Sequence, residues 1–159
     1  MTGLSRRATL LGLAAVAAFP APALAMRVPR ILFVCRYATV KSATARELIR
    51  KRAHERGIGL AVWSRGITPV DHLPPETRQR LIAEFGIDPA SERAQALRQD
   101  DLNRADTVVL FDQLPPNLHK SDTLDWTGQP SLLEQFDASM AYLDAHIAAL
   151  LDRIVKPPA

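Results

Sequence analysis

The stretch Arg30 to Cys35 is apolar at consecutive positions, Ile31, Leu32, Phe33 and Val34, rather than at alternate ones. A strand of that pattern has to be covered on both faces, which is the condition of a parallel sheet sandwiched between helices. Thr107 to Phe111 has the same character, while Ala61 to Ser64 and Thr123 to Trp126 are weaker strand candidates.

Between and after these runs the apolar residues change to helical spacing. Ala45, Leu48, Ile49 and Ala53 form one such set, and Leu81, Ile82 and Phe85 form another before a stop at Gly86. After Pro130, Ser131 and Glu134 have the spacing of a capping box. Leu133, Phe136, Met140, Leu143, Ile147, Leu150, Leu151 and Ile154 then follow along one face of a closing helix. Strand and helix thus alternate without an internal repeat or linker. The pattern predicts a single-domain α/β fold: a doubly wound, mainly parallel sheet of about four strands with helices on both faces. Such sheets bind ligands outside the carboxyl ends of their strands.

With 159 residues, 47% of them hydrophobic and 23% charged, the chain has material for one core. Its first 25 residues differ from the rest. Arg6-Arg7 precede the uncharged run Ala8 to Phe19, then Pro20, Pro22 and the small-residue ending Ala23-Leu24-Ala25. That is the pattern of a twin-arginine-type signal peptide over residues 1–25, with residues 26–159 as the mature domain and the periplasm or exterior of a bacterium as its destination. The apolar run is too short to span a bilayer. Losing Arg6 and Arg7 lowers the formal net charge of +3 by two, and no basic run with interleaved aromatics remains. Neither nucleic acid nor an anionic membrane is indicated as a partner.

Cys35 is the only cysteine, so an intramolecular disulfide is impossible. By itself such a residue is as well explained as a small core hydrophobe, but its position argues otherwise. Arg36, Tyr37, Ala38, Thr39, Val40, Lys41 and Ser42 link the first strand to the start of the first helix, where unpaired N–H groups and the helix dipole favour an anion. Thiols at helix N-termini beside a cation ionise below the roughly 8.5 of free cysteine and become nucleophiles near neutral pH.

Ile31 to Cys35, the loop through Lys41-Ser42, and Ala43 to Leu48 resemble the opening strand, Cys-x5-Arg-Ser loop and helix of the low-molecular-weight phosphotyrosine phosphatase and arsenate reductase family. Ser64-Arg65-Gly66 is similar to the family's Ser-Ala-Gly segment, and Arg104 to Val109 to its aspartate-led third strand. Trp126 to Ser131 resembles the Trp-x-x-Asp-Pro loop that carries the general acid. The resemblance implies a phosphoric monoester hydrolase in which Cys35 is the nucleophile, Lys41 and Arg36 bind phosphate within the Arg36–Ser42 loop, and Ser42 hydrogen-bonds the thiolate. The substrate would be a phosphorylated small molecule or protein, or an oxyanion, and no cofactor or metal is called for.

Four positions depart from the family pattern. Lys41 stands where the family has arginine, a point charge in place of a planar fork. Tyr37 and Ala38 replace a glycine and an asparagine, and Gln129 replaces the aspartate of the acid loop. An amide does not donate a proton to a leaving group, so Asp125, beside Trp126, or Asp122 is left for that role. The departures keep a second reading open, a non-catalytic anion- or partner-binding derivative of the phosphatase fold. A third is an arsenate reductase, which with one cysteine would need an external thiol. His54, His72, His119 and His146 have no metal-ligand spacing. Trp63 and Trp126 read as core or rim, and Asp100-Asp101 as a helix start.

Overall fold

The computed structural model describes residues 27–156, and the 1–25 segment read as a signal peptide lies outside the described residues. Four strands, β1 (Arg30–Cys35), β2 (Ala61–Gly66), β3 (Thr107–Leu110) and β4 (Thr123–Asp125), pair in the order β2-β1-β3-β4, all parallel. Among the described residues the helices are α1 (Lys41–Glu55), α2 (Pro75–Phe85), α3 (Gln99–Arg104) and α4 (Phe136–Val155), with a 3-10 turn at Pro89–Ser91. The expected doubly wound sheet is present, and all four strand candidates lie in it with ends shifted by no more than two residues.

The consecutive apolar residues of β1 are explained by where they point. Ile31, Phe33 and Cys35 face a core shared with Leu48 and Ile49 of α1 and Met140, Leu143 and Ile147 of α4. Leu32 and Val34 face a second, smaller core with Leu97, Leu102 and Val108. Phe33 is wholly buried, its ring 6.1 Å from Phe111 and 5.8 Å from Trp126, and truncating such a side chain costs about 3–5 kcal/mol.

The closing helix begins later than its sequence pattern predicts. Ser131 does not cap it. Its carbonyl accepts the N–H of Gln135 at 2.8 Å, closing a turn, and α4 starts at Phe136 without a side-chain cap. Leu133, expected on the apolar face of that helix, is 55% exposed. Helix α2 ends as predicted, at Gly86 with φ 64°. The acidic pair starts α3, where Asp101 accepts the N–H of Arg98 at 3.1 Å.

One fully buried charge binds the β2 side together. Arg46, 1% exposed, donates to Ser64 Oγ at 2.8 Å, to the Pro89 carbonyl at 3.0 Å and to Glu47 at 2.7 Å. These bonds tie α1 to β2 and to the 3-10 turn, and they neutralise a guanidinium that would be costly to bury unpaired.

At the surface, Arg78 of α2 forms a two-pronged pair with Asp88, at 2.9 and 2.7 Å. The Arg78 hydrogen bonds hold the Asp88 carboxyl below its ordinary value of 3.8. A carboxyl depressed on folding adds stability above its unfolded pKa, and that stability is lost as pH falls through the lower folded value. Asp88→Asn is therefore expected to lower the denaturant midpoint at pH 7, with the gap to wild type closing as pH falls from about 4 toward 2. Urea melts across that range check it, and a gap independent of pH would refute the linkage.

Candidate active site

The order β2-β1-β3-β4 reverses direction between β1 and β3, so the crevice of this fold opens above the carboxyl ends of those two strands. Cys35 ends β1 there and is 4% exposed. A cavity of about 230 Å³ opens on it, walled by Arg36, Tyr37, Val40, Lys41, Asp112, Ser131, Leu132 and Leu133.

Two groups converge on the sulfur. Ser42 Oγ lies 3.0 Å from Cys35 Sγ, and the N–H of Ala38 donates to the same atom at 3.2 Å. Ser42 is wholly buried and sits in the first turn of α1. Val40, the residue before α1, supplies no side-chain cap, which leaves the first helical N–H groups facing the loop. The structure thus brings together Cys35, Lys41 and the Arg36–Ser42 loop named from sequence. Within that loop, Thr39 turns aside: its hydroxyl donates to the carbonyls of Tyr37 and Val70. The N–H of Arg36 donates to Asp112 Oδ2 at 2.9 Å.

The loop keeps a tight turn although it lacks glycine. Ala38 adopts φ 61°, a left-handed conformation that costs a residue with a Cβ about 1–2 kcal/mol. Gly66 at the end of β2 makes room for it. A Cβ at Gly66 would lie 2.9 Å from Ala38 Cβ, Ala38 N and the Tyr37 carbonyl carbon, so this position excludes every side chain. Its role was open to recognition in the Ser64-Arg65-Gly66 motif, but the contact itself depends on tertiary packing.

The two positions considered for the acid lie elsewhere. Asp125 is exposed at the end of β4 and is not among the cavity walls. Its Oδ1 accepts both the hydroxyl and the N–H of Thr127, at 2.7 and 2.8 Å, and these bonds hold its carboxyl below the ordinary range. Asp122 is exposed and also outside the walls. Gln129 is buried; its amide donates to Ser139 Oγ at 2.8 Å, while Oε1 has no hydrogen-bond partner among the described residues. Sequence reasoning passed over Asp112, which follows the β3 run directly and lines the cavity.

Two substitutions test the loop's construction. Gly66→Ala should lower unfolding stability by about 1–3 kcal/mol, the cost of forcing extra volume into a packed site. Ala38→Gly should leave stability unchanged or raise it, because the left-handed strain disappears. Denaturant melts of both variants decide the matter, and a stabilised Gly66→Ala would refute the packing argument.

The chain matches the family model for low molecular weight phosphotyrosine protein phosphatase over residues 30–149. Among solved structures it is similar to YfkJ from Bacillus subtilis, at TM-score 0.70 and 18% identity, covering 84% of this chain and 98% of that one. A low molecular weight protein tyrosine phosphatase from T. tengcongensis aligns at TM-score 0.52 and 23% identity, covering 82% and 99%. The thioredoxin-dependent arsenate reductase of Corynebacterium glutamicum aligns at TM-score 0.59 and 24% identity, covering 82% and 64%. No curated protein matches at a significant level. The solved structures share the fold and the family model spans most of the chain, so the protein belongs to the low molecular weight phosphotyrosine protein phosphatase family.

Proposed function

We propose that the protein hydrolyses phosphoric monoesters through a cysteinyl-phosphate intermediate on Cys35. The observation that carries this reading is the pair of contacts to the sulfur, from Ser42 Oγ and the Ala38 N–H, at the uncapped start of α1. Contacts that favour an anion on sulfur favour the thiolate, and the same helix end suits the phosphate that the thiolate attacks. Sγ forms a bond to phosphorus as the ester oxygen leaves, and water then cleaves the S–P bond to release inorganic phosphate and restore the thiolate. Lys41, at the first position of α1 and on the cavity wall, supplies the positive charge for the equatorial phosphoryl oxygens.

The remaining walls are largely apolar: Tyr37, Val40, Leu132 and Leu133, with Tyr37 49% and Leu133 55% exposed at the rim. They suit an aromatic or aliphatic ester group better than a charged one. We place the reaction outside the cytoplasm on the signal pattern of residues 1–25.

A second reading, binding of a phosphorylated group without turnover, draws support from Gln129, whose amide is buried against Ser139 at the family's acid position. Turnover separates the two. Under reducing conditions, p-nitrophenyl phosphate should be hydrolysed by wild type and by Arg153→Ala, an exposed change far along α4, but not by Cys35→Ser. Lys41→Ala should lower kcat/KM by about 10²-fold, as the loss of one preorganised charge contact does, and Lys41→Arg should raise it through bidentate contact. A folded wild type no more active than Cys35→Ser would leave the binding reading standing.

A further inference from the structure

The reaction just described needs a proton for the departing ester oxygen, and the position that supplies it in the family holds a buried glutamine. We infer that Asp112 donates that proton. The inference rests on the phosphatase reading and adds a catalytic residue to it.

Among the described residues, Asp112 is the only carboxyl that walls the Cys35 cavity. The other protic groups there serve less well. Lys41 is engaged as the phosphate cation, and a serine hydroxyl or a phenol is by its chemistry a much weaker acid than a carboxyl. Asp125 is fixed by Thr127 at the tip of β4, off the cavity.

Backbone geometry brings Asp112 to this place. Strands β1 and β3 pair in register with Val34 beside Leu110, and the N–H of Phe111 donates to the Val34 carbonyl at 2.8 Å. The pairing therefore sets Asp112 beside the residue that follows the nucleophile. The Arg36 N–H then holds Oδ2 at 2.9 Å. Asp112 is half-buried and also borders a second opening, lined by Ile67, Thr68, Gln113 and Pro115.

The steps balance. In the first, the S–P bond forms, the P–O ester bond breaks, and the Asp112 proton passes to the leaving oxygen. In the second, the Asp112 carboxylate takes a proton from water as the water oxygen attacks phosphorus. Inorganic phosphate leaves, and the thiolate and the protonated carboxyl are regenerated.

Leaving-group dependence tests this. Asp112→Asn keeps a carbonyl oxygen to accept the Arg36 N–H but has no proton to give. For phenyl phosphate, which leaves poorly, kcat/KM should fall about 10²-fold or more, whereas for p-nitrophenyl phosphate it should fall less than about 5-fold. The alkaline decline of the wild-type rate on phenyl phosphate should be absent from the variant. Equal losses on both esters would assign Asp112 to holding the loop, and no loss on either would remove it from the reaction; each result overturns the inference while leaving Cys35 chemistry intact. A wild type without Cys35-dependent turnover of p-nitrophenyl phosphate would overturn both. Should Asp112→Asn not fold, Asp112→Glu is read instead. Partial turnover of phenyl phosphate with a displaced alkaline decline supports the assignment, and an undisplaced one refutes it.

Discussion

The Arg36–Ser42 loop is held in shape from outside itself. The chain leaving β2 runs alongside it, with the Ile67 N–H donating to the Cys35 carbonyl at 3.1 Å, Thr68 to Arg36 at 2.8 Å and Val70 to Tyr37 at 3.1 Å. These bonds carry the β1–β2 pairing past the ends of both strands and satisfy loop carbonyls that would otherwise face the cavity rim unpaired. Three backbone bonds and the seat at Gly66 together offset the left-handed strain at Ala38. With the outward carbonyls engaged, the Ala38 N–H is left to face the sulfur.

That arrangement explains how a loop without glycine closes its turn. Glycine lowers the cost of a left-handed residue within the residue itself, whereas here the cost falls on neighbours, through a residue on another strand that has no side chain. With Tyr37 and Ala38 in the loop, a departure read from sequence, the turn requires a residue without a side chain at Gly66. At Gln129 the change has a different effect. The side chain packs inward against Ser139, so the loop over the cavity contributes walls, Ser131 to Leu133, in place of a titrating group.

Much of the fold was legible because β1 and β3 are apolar at consecutive positions, which only a two-sided sheet accommodates. That Cys35 and Lys41 share one cavity was legible because strand, cysteine, loop and helix are contiguous in sequence. The contact of Gly66 with Ala38 and the place of Asp112 at the cavity were not, since each depends on a strand pairing that no local pattern encodes; for Asp112 the carboxyl end of a strand beside the switch point was the available signal. The start of α4 was misread for a related reason. Ser131 and Glu134 have capping-box spacing, but Leu132 is drawn into the core and Leu133 to the cavity rim, and that tertiary demand overrides the local preference for a helix.

The two cores flanking β1 are unequal. One gathers α1, α4 and the aromatic group of Phe33, Phe111 and Trp126; the other has the six-residue α3 and a few loop leucines. Sub-global opening in proteins follows the thinner cover first, because the free energy of exposing a segment scales with the apolar area it uncovers. Here that excursion would lift α3 and its flanking loops and bare Leu32 and Val34 to solvent. Ile31, Phe33 and Cys35 would stay packed, so amide exchange on the α3 side would run faster than around Cys35, and the end of β1 that borders the cavity would be among the last parts to lose its structure.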